Sequence, residues 1–136
     1  MSELPPQYRG LPSFSFGDSP ELADELAALV AAGRKRATVM TPDEPTRPTL
    51  GERWIVLDGK KRPICAIETI ELSERRFDEI DEAFAFDEGE GDRTLASWRA
   101  GHETYFRRQG RFAPDMPLIC ERFRLLDVFD VERGDG

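Results

Sequence analysis

No run of consecutive apolar residues in the 136-residue chain approaches the roughly 18 to 20 that a membrane-spanning helix needs. The opening MSELPPQYRG has neither the basic start nor the apolar stretch of a signal peptide, so a cytoplasmic protein without membrane association is expected. Cysteine is scarce. Cys65 and Cys120 offer no C-x-x-C pair for a structural metal and too few thiols for a secreted scaffold, and each lies in an apolar run, as a reduced core residue does. The single histidine, His102, excludes a His-pair metal site, and its place four residues after Trp98 on an apolar helical face suits packing with one hydrogen bond. There is no internal repeat and no low-complexity segment.

What remains is one domain's worth of chain, with 39% hydrophobic and 34% charged residues, enough for a real core under a heavily solvated surface. The net charge of −8 would repel a polyanion if it were spread evenly. It is not. Residues 33–62 carry eight basic side chains against four acidic, residues 68–92 carry eleven acids against Arg75 and Arg76, and residues 93–124 carry seven arginines against three acids. A basic cleft on an acidic body is compatible with this pattern; so is a mixture of solvated faces.

The Pro-rich residues 1–11 and the final 131–136 read as flexible tails around a domain at 12–130. Ser19-Pro20-Glu21 is a helix start, Leu22, Leu26, Leu29 and Val30 repeat at helical spacing, and Gly33 ends the helix. A short strand is expected at 37–40, a hairpin at 53–57 and 64–72 around Asp58-Gly59, a short helix marked by Phe77, Ile80 and Phe84, and an acidic loop over 87–92. A helix capped by Thr94 carries Leu95, Trp98, His102, Tyr105 and Phe106 on one face, and a last strand covers 118–128. In the strand at 64–72 neither alternate face is cleanly polar, which suits a barrel strand covered outside by a helix. This order gives an α+β domain with mostly antiparallel or mixed pairing, not a doubly wound sheet.

Gly33-Arg34-Lys35-Arg36-Ala37-Thr38 places a lysine just past a helix end and a hydroxyl three residues on. Cations at a helix C-terminus complement the macrodipole, and by itself the segment requires no more than that. Trp54 and Trp98 fit core periodicity or base stacking, and Glu121, Arg122 and Arg124 fit surface pairing or a cleft wall.

The G-x-K-x-x-T pattern of Gly33, Lys35 and Thr38 resembles the hallmark of the ASCH family. Further matches follow in order: Phe16-Gly17-Asp18-Ser19, Gly51-Glu52, the acidic loop Asp87-Glu88-Gly89-Glu90-Gly91-Asp92 with Thr94-Leu95 and Trp98-Arg99, and Cys120-Glu121-Arg122-Phe123. Together they are similar to the longer bacterial branch of that family over about residues 14–128. The resemblance implies a PUA-like small mixed β-barrel flanked by helices, and a role in RNA handling. Some family members are metal-assisted ribonucleases on single-stranded RNA; other, shorter members are amidohydrolases that deacetylate N4-acetylcytidine with a lysine, a threonine and a glutamate. Lys35 and Thr38 carry over directly, and Glu90 is placed ahead of Glu88 for the glutamate.

Amide hydrolysis would need Thr38 activated by a lysine whose pKa is lowered, with Arg34 and Arg36 as cationic neighbours in sequence. Phosphodiester cleavage would use Lys35 for transition-state charge and Glu88 and Glu90 as ligands for Mg²⁺ or Mn²⁺. Gly33, Arg34, Arg36, Trp54 and Arg122 are the expected contacts to RNA or a modified nucleoside, and no protein partner is expected. The branch likeness places the ribonuclease first, the amidohydrolase second, and a non-catalytic RNA-binding module third.

Overall fold

In a computed structural model that describes residues 4–44 and 47–129, the helix-start signal at Ser19 is realised: its side chain accepts a hydrogen bond from the Leu22 amide, and helix α1 runs Pro20–Ala31. The helix buries Ala23, Leu26, Ala27 and Val30, the stripe its spacing predicts. Gly33, at φ +77°, turns the chain out of the helix.

A mixed five-stranded sheet receives α1. Its strands are β1 (Ser13–Ser15), β2 (Ala37–Met40), β3 (Arg53–Leu57), β4 (Pro63–Arg76) and β5 (Pro117–Val128), in the order β1-β3-β4-β5-β2. Only the β1·β3 pairing is parallel. With α2 (Glu82–Glu88) and α3 (Leu95–Arg108), this is the α+β arrangement expected.

The long β4·β5 ribbon is shared by two apolar clusters. One packs α1 and Phe16 on Trp54, Val56, Cys65, Ile67 and Phe123; the other packs α2 and α3, through Phe84, Trp98 and Phe106, on Phe77, Leu118 and Cys120. The ribbon's register shifts twice, at Leu126 of β5 opposite Ala66/Ile67 and at Ile70 of β4 between Thr69 and Glu71, the extra residues of β-bulges. Cys65 and Cys120 are free, buried in different clusters, and burial pushes their thiols up to about 12 and about 11.

Several expectations change. β4 extends to Arg76, and the helix expected around Phe77 to Phe84 divides into a 3-10 turn at Phe77–Glu79 and α2, because Asp81 caps a new start by accepting from the Phe84 amide. α2 continues through Asp87 and Glu88, so the acidic loop begins with Glu88 still helical. Residues 4–11 are not a loose tail. A 3-10 turn at Pro6–Tyr8 buries Tyr8 on Ile55 and Ala66, edge-on to Phe129. It is this segment, and not a helix, that covers the outer face of β3 and β4. The expected tail 131–136 lies outside the described residues.

Tyr8→Ala is expected to lower unfolding stability by about 3 kcal/mol, the usual cost of removing a buried aromatic ring. A urea midpoint equal to that of the wild type would show that the N-terminal segment contributes no packing.

Candidate functional site

Lys35 leaves α1 with its side chain turned inward, and it is 1% exposed. Its ammonium donates to the Ala37 carbonyl (2.9 Å), to Glu88 Oε1 (2.8 Å) and to Glu90 Oε2 (2.7 Å). It also lies 5.4 Å from the centre of the Phe16 ring. An unpaired charge at this depth would be prohibitive, so both acids are part of what makes the position tenable.

The acids reach it through a backbone clamp. The Arg36 amide donates to the Asp87 carbonyl (2.6 Å), and the Arg34 guanidinium donates to the carbonyls of Gly89 and Gly91 (2.9 and 3.1 Å). Gly89, the left-handed residue ending α2, packs so closely on Arg34 and Lys35 that a Cβ there would strike the Arg34 carbonyl and lie 2.9 Å from Lys35 Cα. The turn therefore presents Glu88 and Glu90 to the same ammonium from two directions.

Glu88 is fully engaged. Its second oxygen accepts from Trp98 Nε1 at 2.7 Å, and His102 Nε2 lies 3.5 Å away. Burial opposes the carboxylate charge, but Lys35, His102 and the two hydrogen bonds outweigh it and hold Glu88 below its ordinary pKa. The same balance operates on Lys35: burial opposes the ammonium, the two carboxylates prevail, and the pKa is raised. Glu90 is more open, its side chain 28% exposed.

These groups line a cavity of about 520 Å³ that also receives Thr38, Trp54, His102, Tyr105, Glu121 and the rings of Phe14 and Phe16. Thr38 lies on β2 directly opposite Glu121 on β5, so the two side chains leave the sheet on the same face. Trp54 donates to Glu52 Oε1 (3.0 Å) and stands perpendicular to Phe14. His102 stacks on Trp98 at 4.2 Å, and its Nδ1 donates to the Trp98 carbonyl (2.9 Å), which leaves Nε2 on the Glu88 side.

Lys35, Thr38, Glu88, Glu90 and Trp54 thus come together as expected. Gly33, Arg34, Arg36 and Arg122 do not. Gly33 is exposed beyond the helix end, Arg36 pairs outside with Asp87, and Arg122 bridges Asp87 and Glu71 over the Phe84 ring. With Arg34 they brace the acidic turn from behind, because its carbonyls and Asp87 are the nearest acceptors. Arg124 is drawn to Glu68, and Trp98 is enclosed in the core, so it offers no free face for a base. Arg34 and Arg36 therefore do not lower the lysine pKa. His102 packs on Trp98 with one hydrogen bond, as its place on the helix implies, and Glu121, for which wall and surface were both open, turns to the wall. Both line the cavity, and a signal existed for Glu121: on an alternating strand it shares a face with Ile119 and Phe123.

The ligand atoms of Glu88, Glu90 and His102 lie within 4.8 Å of one another, the spacing a metal set requires. A divalent cation does not fit them as they stand. Both Glu88 oxygens already accept, and the Lys35 ammonium occupies the space between the two carboxylates. A dication ~4 Å from that ammonium would meet repulsion on the order of 8 kcal/mol at an effective dielectric of about 20.

Three comparisons bear on the chain. A family model for the ASCH domain matches residues 12–127. No curated protein matches. Among solved structures it is similar to an ASCH domain from Lactobacillus crispatus JV V101, at 30% identity over 89% of this chain and 82% of that one, with a TM-score of 0.80. It is likewise similar to a protein from Enterococcus faecalis V583, at 34% identity over 86% and 77%, with a TM-score of 0.75. An ASCH protein from Zymomonas mobilis, 10% identical over 89% and 72% with a TM-score of 0.57, shares the fold alone.

The ion-pair balance sets a pH window. Glu88 titrates below its ordinary 4.5, so its contribution to stability is present above that value and is lost as pH falls through the lowered one. Lys35 titrates above 10.5, so its contribution is full below that value and fades as pH rises through the raised one. Lys35→Met is expected to cost about 3–5 kcal/mol at neutral pH, as removal of one partner of a buried pair does. Adding Glu88→Gln should recover part of that loss and flatten both limbs of the stability profile. Urea unfolding across pH checks this, and additive losses in the double variant would deny the coupling.

Proposed function

Because the chain belongs to the ASCH domain family, a PUA-like fold, we propose that it binds an RNA-derived nucleoside in the Lys35 cavity and hydrolyses an amide on its base, N4-acetylcytidine being the type substrate. The observation that carries this reading is the buried ammonium of Lys35, already balanced by Glu88 and Glu90, on the wall of a cavity it shares with Thr38.

A single-stranded RNA would bring a row of phosphates, and the groups suited to hold them are committed elsewhere. Arg34, Arg36, Arg122 and Arg124 are bonded outside the cavity, and Arg108 on its rim forks onto Asp18. Glu88, Glu90 and Glu121 line the cavity with one lysine, and the exposed Glu44 stands at its edge. Such a space repels phosphate and suits a neutral, planar group against Phe14, Phe16 and Trp54. The metal-assisted ribonuclease therefore falls behind the amidohydrolase, and no step requires a metal.

In the proposed chemistry the Thr38 hydroxyl attacks the acetyl carbonyl and passes its proton to the Glu90 carboxylate, the more open of the two acids. As Glu90 takes that proton, the Lys35 N–H it had accepted is released and turns to the oxyanion that develops on the carbonyl oxygen; the ammonium itself keeps its proton. Collapse breaks the C–N4 bond, the proton held by Glu90 moves to the leaving nitrogen, and cytidine departs. Water then attacks the Thr38 ester and passes a proton to Glu90; collapse breaks the ester C–O bond, Glu90 returns that proton to the Thr38 oxygen, and acetic acid leaves, to ionise as acetate in solvent. Lys35 does not serve as the base, since its pKa is raised and not lowered.

Purified protein incubated with N4-acetylcytidine is expected to release cytidine at a rate unaffected by EDTA. Thr38→Ala should reduce kcat by roughly 10²- to 10⁴-fold while Thr38→Ser retains activity. Cleavage of labelled single-stranded RNA that requires Mn²⁺ would instead restore the ribonuclease, and retention of RNA without turnover of either substrate would leave a binding module.

A further inference from the structure

Of the four glutamates that line this cavity, Glu44 is exposed at its edge, and of the other three only two are matched to its lysine. Glu88 and Glu90 each bond the Lys35 ammonium; Glu121 does not. Glu121 rises from β5 into the space, is 4% exposed, and has one oxygen, Oε2, accepting from the Thr69 hydroxyl at 2.6 Å. Among the described residues no other group bonds it, so its second oxygen is left to whatever occupies the cavity.

We propose that Glu121 is a ligand-contacting residue of this site, its free oxygen donating a hydrogen bond to the C2 ring carbonyl of a pyrimidine and so favouring pyrimidine nucleosides over adenosine. This rests on the nucleoside reading of the cavity and adds to it the residue that reads the base.

The charge state follows from what faces Glu121. Lys35 is the cation that acts on it, and that charge is already shared by two carboxylates; Glu52 adds negative charge and Thr69 is neutral, while Glu44, Glu88, Glu90, His102 and Arg108, itself paired with Asp18, line the same cavity. A third ionised carboxyl here would be both desolvated and unmatched. Burial accordingly pushes its pKa up, with the Thr69 bond and Lys35 only partly opposing that and Glu52 adding to it. A neutral carboxyl has one O–H to give, and Oε2 is committed as an acceptor, so the proton belongs on the free oxygen.

The position suits the role. Glu121 is the cross-strand partner of Thr38, so a base held by its ring carbonyl would lie beside the hydroxyl that acts on its substituent. Cytidine, uridine and N4-acetylcytidine carry a carbonyl at C2, between the two ring nitrogens of a single ring; adenosine has no ring carbonyl, and that of guanosine lies at C6 of a larger bicyclic base.

The test uses full-length protein labelled with carboxyl-¹³C glutamate, the Glu121 signal being assigned by its loss in Glu121→Gln. In the free protein at pH 7 this signal should be that of a neutral acid, and cytidine or uridine, but not adenosine, should move it. An ionised Glu121 at pH 7, or a neutral signal that no pyrimidine nucleoside shifts, overturns the proposal whether or not the protein turns over N4-acetylcytidine. Turnover, followed separately, reports on the enzyme reading. Where it occurs, Glu121→Ala should raise KM by roughly 10-fold or more, as loss of a buried hydrogen bond does. Glu121→Gln, which keeps a neutral donor, should retain most binding and lose the rise of KM that the wild type shows as pH climbs and the carboxyl ionises. Equal damage by Gln and Ala would mean that the carboxylate is what the ligand needs, and would overturn the donor role.

Discussion

A lysine ammonium without water around it must be surrounded by charge and acceptors, and the half of the molecule around the cavity is organised to meet that demand. Lys35 sits where the end of α1, the start of β2 and the turn after α2 converge, and each supplies something. The chain leaving α1 provides the lysine, β2 provides the Ala37 carbonyl, and the turn provides Glu88 and Glu90. The backbone clamp between residues 34–36 and 87–91 and the close fit of Gly89 hold these pieces in register. The second apolar cluster fixes the far side of Glu88 through Trp98.

The same demand sets the chemistry. An ammonium matched by two carboxylates keeps its proton, so it serves as a hydrogen-bond donor and not as a base, and it leaves little attraction for further anions. The cavity is therefore polar without being basic, although basic residues flank it in sequence. The arginines near Lys35 act as braces and keep the acidic turn in place, which is why a net charge of −8 and a lysine-centred site coexist.

Local patterns that depend on near neighbours were legible. The Ser19 cap, the apolar stripe of α1, the cap at Thr94 and the strand at 37–40 follow from capping chemistry and periodicity. The pattern Gly33-Lys35-Thr38 and the acidic turn pointed to the groups that meet in the cavity. What could not be read was direction. Arg34, Arg36 and Arg122 are as suitable as Lys35 for an anion, and only the path of the turn decides that three of them grip its outer side. Tyr8 in a Pro-rich opening carried no periodic signal, because its partners Ile55, Ala66 and Phe129 are far away in sequence. The protonation behaviour of Lys35 was likewise out of reach, since it depends on two carboxylates more than fifty residues further along the chain.

By itself, then, the amino-acid order determined the element types, the α+β class and the residues from which a site would be built, because capping, spacing and alternation act over a few residues. The tertiary structure decided which charges are buried together, which way the arginines turn, and that Glu121 shares a space with Thr38, because burial and pairing of charge are properties of contacts between distant segments. A charged group's chemistry is set by what surrounds it, and its surroundings exist only after the chain has folded.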